Sequence, residues 1–264
     1  MMSIKVVFFD LGDTLWHFPK MPPPEVVRGE TMRRVGGLVT SWGHDMRDGD
    51  RRMLGRDIRF AVEEETSRAF HGDCADPGYP ELCRRVAARH GMFLTPEQGE
   101  QLWEAWNLGG IFLGRVLFPD VIETLRWLRD RGLRVASITN RGYSGPRFHE
   151  ELEELGLTEL FEHVAVSCDV GYMKPHPRIF HYALEQMGVA AEDSVMVGDS
   201  LRADVEGAKT VGMVTIWRRP PAGEPLEPAT DEPEAGPLSP DFTIDEIGEM
   251  KDLPVFDADA GSAK

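Results

Sequence analysis

IKVVFFDLGDTL, residues Ile4 to Leu15, carries the pattern from which the rest of the chain is read. Ile4 to Phe9 is too short for a helix and is rich in β-branched and aromatic side chains, so it reads as a buried strand. It runs directly into a carboxylate, Asp10. Runs of the same kind recur at Leu133 to Thr139, His163 to Ser167, Ser194 to Val197 and Met213 to Trp217. Amphipathic helices separate them. Pro119 to Arg131 carries Val121, Leu125 and Leu128 on one stripe, with Pro near its start and Gly132 just past its end. Pro177 to Met187 does the same with Ile179, Ala183 and Met187, and Gly188 closes it. Strands alternating with helices predict an α/β fold, a doubly wound, Rossmann-like parallel sheet with helices on both faces.

From about His17 to Arg115 the rhythm breaks. Glu25 to Thr40, Gly49 to Phe70, Pro80 to His90 and Pro96 to Trp106 all read as helices, punctuated by Gly and Pro. Such a length between two strands exceeds any ordinary connection, so an inserted α-helical domain is expected over 17–115. The core is then residues 1–16 with 116–219. Residues 220–240 read as a Pro- and Glu-rich flexible loop. Residues 241–264 read as an edge strand, DFTIDEI, with a disordered acidic tail.

Composition narrows the function. The net charge of -16 is uneven, with 12 acids against 2 lysines from Pro220 to Lys264. Such a balance argues against nucleic acid as a partner. No run of 18 apolar residues spans a membrane, and the start of the chain has no signal-peptide pattern. The three cysteines lack any metal-binding or disulfide spacing. A cytoplasmic protein is expected.

Open α/β sheets bind ligands beyond the carboxyl ends of their strands. At those ends stand Asp10, Thr139-Asn140, Lys174, and the stretch GDSLRAD from Gly198 to Asp204. Singly, each has a plain reading as a turn, a cap or a surface charge. Lysine is not this chain's default base, however, with 6 lysines against 23 arginines. Together these groups suit an oxygen-ligated cation and an anionic substrate.

In these residues the chain resembles the haloacid dehalogenase superfamily: FFDLGDTL is similar to its first motif, SITN to its second, KPHPRIF to its third and VGDSLRADVEGAKTVGM to its fourth. The insert between the first two motifs resembles the helical cap of members acting on small molecules. The resemblance implies a Mg2+-dependent phosphatase of a small-molecule phosphorylated substrate, with Asp10 forming an aspartyl-phosphate. Asp10, the carbonyl of Gly12 and Asp199 would hold Mg2+, with Asp204 in support. Thr139, Lys174, Asn140 and the main chain at Leu11 and Gly12 would hold the phosphoryl oxygens.

The first motif departs from the family in one place. Family phosphatases carry an acid two residues after the nucleophile, where this chain has Gly12. Asp13, His17 or a residue of the insert is expected to supply the proton, or else good leaving groups need none. The departure argues against a mutase. Phosphonatase chemistry needs a lysine in the insert, where Lys20 near its start is the one present. A dehalogenase, which needs neither acid nor metal, and a non-catalytic phosphate-metabolite-binding member are the alternatives. In the insert, Trp103 and Trp106 can be core or a stacking platform, and Arg28, Arg33 and Arg34 a solvated face or a clamp for a distal anion.

Overall fold

The computed structural model describes residues 4–44, 47–220 and 239–257. The stretches 221–238 and 258–264, which hold most of the expected flexible loop and the tail, lie outside the described residues. The chain divides into two compact units, Met1–His17 with Val116–Lys264, and Phe18–Arg115.

In chain order the strands are β1 (Val6–Phe9), β2 (Trp16–His17), β3 (Val116–Leu117), β4 (Arg134–Thr139), β5 (His163–Val166), β6 (Ser194–Gly198), β7 (Val214–Arg218) and β8 (Phe242–Ile244). The helices are α1 (Pro24–Ser41), α2 (Asp48–His71), α3 (Tyr79–Arg89), α4 (Pro96–Trp106), α5 (Gly109–Phe112), α6 (Val121–Asp130), α7 (Gly145–Glu154), α8 (Ser167–Val170), α9 (Pro177–Met187) and α10 (Gly207–Val211).

The first unit is built on a six-stranded sheet in the order β5-β4-β1-β6-β7-β8. Every pairing in it is parallel. The period of two along β1 sends its residues to opposite faces. Val7 and Phe9 pack with Leu125 and Leu128 of α6 and with Phe148 and Leu152 of α7. Val6 and Phe8 pack with Ile179, Phe180 and Ala183 of α9 and with Ala208 of α10. A strand covered on both sides must be apolar throughout, which is why VVFF shows no alternation. Beside the sheet, β2 and β3 form a short antiparallel pair, Trp16 opposite Leu117 and His17 opposite Val116. It joins the points where the chain leaves for the second unit and returns.

Three elements differ from the sequence reading. The pair β2–β3 is two residues on each side, too short for any periodicity. α7 has only two apolar core residues, Phe148 and Leu152, and buries Glu151 between them, so its stripe is weak. Leu201–Glu206 is wound as a π-helix before α10 begins, a distortion often found at functional sites.

The second unit is helical, with its own core of Val35, Val39, Leu54, Ile58, Leu82, Val86 and Leu102. Its α4 starts on a capping box, Thr95 accepting from the Gln98 amide while the Gln98 side chain accepts from Thr95 N. Trp103 belongs to this core, stacked on Tyr79 at 4.6 Å and on Trp106 at 5.5 Å. Arg33 and Arg34 are both paired with Glu30 at 2.7 Å. Among the described residues, no helix is long and apolar enough to cross a membrane.

Phe8 sits at 0% exposure in the middle strand. Phe8→Ala should cost about 3–5 kcal/mol of unfolding free energy, because a cavity there is closed in by sheet and α9. Urea denaturation checks this, and a loss under 1 kcal/mol would contradict the packing described.

Candidate active site

The carboxyl ends of β4, β1, β6 and β7 lie side by side. Asp10 follows β1 directly, and its amide donates to the Val197 carbonyl of β6 at 2.9 Å. The chain then turns tightly: Leu15 N and Trp16 N both return to the Leu11 carbonyl, and Asp13 N donates to the Trp16 carbonyl at 2.7 Å. Asp13 takes a left-handed backbone conformation, φ 51°. Thr14 is fully buried, and its hydroxyl donates to Asp199 Oδ1 at 2.9 Å.

At the centre is Lys174, 1% exposed. Its Nζ donates to Asp10 Oδ1 at 2.6 Å, to Asp204 Oδ1 at 2.6 Å and to the Ile138 carbonyl at 2.7 Å. An ammonium has three N–H donors, and all three are used. Burial alone would lower the lysine pKa, but Asp10 and Asp204 outweigh it and hold the group above its ordinary range. Its place in the chain is fixed by Asn140, whose side chain accepts from Lys174 N at 2.7 Å and donates to the Lys174 carbonyl at 3.0 Å.

Asp204, also 1% exposed, turns its other oxygen to Ser200 N at 3.0 Å, while Ser200 Oγ accepts from Ala203 N at 3.1 Å. A Cβ on Gly198 would stand 2.2 Å from Asp204 Cγ. Glycine before Asp199 therefore answers a packing demand made by Asp204. Asp199 has its pKa raised well above the usual carboxylate range, by burial first and then by the negative charges of Asp10 and Asp204. Burial likewise pushes Asp204 up, against the pull of Lys174.

Oxygens of Asp10, Asp199 and Asp204 all lie within 4.8 Å of one another. Three carboxylates and one ammonium leave two negative charges in excess. A hard divalent cation with oxygen ligands suits that excess and that donor set.

The structure thus brings together Asp10, Lys174, Asp199 and Asp204. Thr139 ends β4 with 4% exposure, one residue past the carbonyl that Lys174 uses. Leu11 buries its side chain completely, so it offers an anion only its main chain. Asn140, with its side chain given to Lys174, likewise offers its main-chain amide. Gly12 is partly exposed, and an added Cβ would meet nothing nearer than Trp16 Nε1 at 3.9 Å. Asp13 is exposed and close enough to Asp199 to add to its negative field. His17 stacks on Phe118 at 4.3 Å.

Sequence reasoning missed three residues that touch this assembly. Thr14 is the first. Trp217 Nε1 donates to the Asp199 carbonyl at 2.7 Å, and Arg218 Nη1 donates to the Asp13 carbonyl at 2.7 Å. Thr14 was open to discovery as the hydroxyl four residues after Asp10. The end of an apolar strand gives no such signal for Trp217 or Arg218.

Residues 4–212 match the haloacid dehalogenase-like hydrolase family, and the chain belongs to it. Over 95% of this chain and 97% of the other, it is 31% identical to a glyceraldehyde 3-phosphate phosphatase of Methanopyrus kandleri. It is 29% identical to a ribulose-1,5-bisphosphate 5-phosphatase of Halopiger xanaduensis, over 94% and 98% of the two chains. Among solved structures, a 2-haloacid dehalogenase from Pseudomonas syringae pv. Tomato is similar with a TM-score of 0.60 and 25% identity, covering 95% of this chain and 97% of that one.

Lys174→Met removes the counter-charge from two buried carboxylates. It should cost about 3–5 kcal/mol in urea denaturation, and an unchanged midpoint would refute the burial and pairing described. Gly198→Ala should displace Asp204 and destabilise the protein by about 1–3 kcal/mol, as overpacking does, whereas Gly132→Ala tests only a positive φ far from the acids.

Proposed function

We propose that this chain is a Mg2+-dependent phosphatase of small-molecule phosphate monoesters, with Asp10 as nucleophile. The observation that carries the reading is the pairing of Asp10 with the buried Lys174 inside a group of three carboxylates. A nucleophilic carboxylate approaching a phosphate dianion needs positive charge on both sides of the reacting atoms.

Lys174 holds Asp10 Oδ1, so the other carboxylate oxygen is the one that attacks phosphorus. The ester P–O bond breaks as the aspartyl-phosphate forms, and the leaving oxygen takes a proton. Water then attacks phosphorus, passing a proton to the Asp13 carboxylate left by the first step, and the P–O bond to Asp10 breaks, releasing phosphate and restoring Asp10. Thr139 and the main-chain amides of Leu11, Gly12 and Asn140 bind the phosphoryl oxygens, while Lys174, its three donors already placed, adds its charge beside them. Asp10, Asp199 and the Gly12 carbonyl would hold Mg2+, with Asp204 supporting them through Lys174 and Ser200. When bound, the ion neutralises charge between nucleophile and phosphate. Its fit is supported by the excess negative charge of the acid group.

Asp13 is the proton donor in this reading, because it is exposed, adjoins the acid group and stands next to the glycine where an acid is missing. The helical unit serves as the cap that excludes water and selects the substrate. A cytoplasmic location is supported by Cys74, Cys83 and Cys168 standing outside any disulfide.

Hydrolysis of an aryl phosphate should require Mg2+, stop with EDTA and be lost in Asp10→Asn. Release that survives EDTA would sink the metal-dependent reading. Chloride release from 2-chloropropionate instead would establish dehalogenation, which the absence of an acid at Gly12 favours. Gly12→Asp has room for its side chain. It should raise turnover of alkyl phosphates by about 10²-fold, the lower end of general acid catalysis, and change aryl phosphate turnover little. Equal effects on both ester classes would show that proton donation is not what position 12 lacks.

A further inference from the structure

Arg218 poses a question that the chemistry above does not answer. It is 3% exposed, and its Nη1 donates to the Asp13 carbonyl at 2.7 Å, in the loop that follows Asp10. Its neighbour Arg219 is half-exposed and paired with Asp245 at 2.7 Å. Burying a guanidinium is costly, so its position should answer to a need.

Trp217, one residue earlier, is buried as well, and its indole N–H donates to the Asp199 carbonyl at 2.7 Å. In the sheet Trp217 stands opposite Gly198, so the ring needs to reach only one residue past the end of β6. The two loops that carry carboxylates, one after β1 and one after β6, are thereby fastened to a third strand. The fastening closes on itself. Asp13 is followed by Thr14, Thr14 binds the Asp199 carboxylate, the Asp199 carbonyl accepts from Trp217, and Arg218 returns to Asp13. On its far side the Arg218 guanidinium lies 3.9 Å from the ring centroid of Phe118, which in turn stacks on His17. It is held between an aromatic face and a carbonyl, a geometry that suits arginine and not lysine.

We propose that Trp217 and Arg218 are positioning residues for the acid group, setting the separation of the loop at Gly12–Thr14 from the carboxylate of Asp199. The proposal rests on the reading of Asp10, Gly12 and Asp199 as Mg2+ ligands. Neither residue touches substrate. Their effect is on the angle at which the ligands meet, so it falls on metal affinity and on turnover rather than on substrate binding.

The test titrates Mg2+ into the full-length protein by calorimetry. Trp217→Phe keeps the ring and removes only the donor. Arg218→Met keeps much of the bulk and removes both bond and charge. Arg218→Lys keeps one donor, and Arg219→Met is the control. Trp217→Phe and Arg218→Met should each raise the Mg2+ Kd roughly 10-fold. For an aryl phosphate at saturating Mg2+, kcat should fall while KM stays. Arg218→Lys should recover part of the loss, and Arg219→Met should match wild type in both measurements. A Mg2+ Kd within twofold of wild type in folded Trp217→Phe and Arg218→Met overturns the proposal, as does wild type that binds no Mg2+. If Arg218→Met does not fold, Trp217→Phe and Arg218→Lys decide. Wild type that binds Mg2+ without hydrolysing the ester removes the phosphatase reading and leaves the comparison of Kd values standing.

Discussion

An ammonium group taken out of water must recover its hydration from neighbours, and Lys174 recovers it from two carboxylates and a carbonyl. That demand organises the loops around it. Asn140 spends its side chain on the Lys174 peptide, which ties the end of β4 to the segment before α9. Asp204 must come close enough to reach Nζ, and Gly198 gives way for it. The π-helical turn over Leu201–Glu206 begins at Ser200, whose amide takes the second oxygen of Asp204. A buried ion pair of this kind is a poor source of stability, since well-packed apolar residues would do as well or better. Its value lies in placing a charge beside Asp10.

The balance of charge then points outward. With two carboxylates committed to Lys174, Asp199 has Thr14 as a side-chain donor and three like charges nearby, those of Asp10, Asp204 and Asp13. Each carboxylate raises the cost of ionising the others. The group accordingly favours binding positive charge, as a proton or as a cation, and its oxygen-only donors discriminate against softer metals. The acid group and the fold share the same residues here, so a cation bound there would be coupled to local stability.

Much of this was legible in the sequence, for particular physical reasons. Strands covered on both faces must be continuous apolar runs, so β1, β4, β6 and β7 stood out, and polar residues at their ends pointed to one edge of the sheet. The lysine was conspicuous because arginine is the usual base in this chain. What was not legible depended on pairing across the sheet. That Asn140 serves the Lys174 backbone, or that Trp217 reaches Asp199, follows from strand order and register, which no local pattern encodes. Trp103 and Trp106 had two readings from helical spacing alone, and the stack on Tyr79 places Trp103 in the core. α7 was missed because Glu151 occupies a core position, where it accepts from Tyr143 and Arg141.

The order of Gly12 and Asp13 runs against what the backbone alone would select. Position 13 is left-handed, the conformation in which glycine is free of strain and other residues cost about 1–3 kcal/mol, with aspartate among the better tolerated. Position 12 lies outside that region and has open space for a side chain. Exchanging the two residues would relieve the strain and fill the space, so conformational energy does not account for the order found. Two features of the site do. The bond from Arg218 to the Asp13 carbonyl helps stabilise the unusual backbone, and the absence of a side chain at 12 leaves the approach to Asp10 wider by the volume of a carboxymethyl group. A wider approach suits a leaving group that brings bulk close to the nucleophile or needs little protonation. In the phosphatase proposed above, the loop at Gly12 and Asp13 would thus bear on which esters reach Asp10.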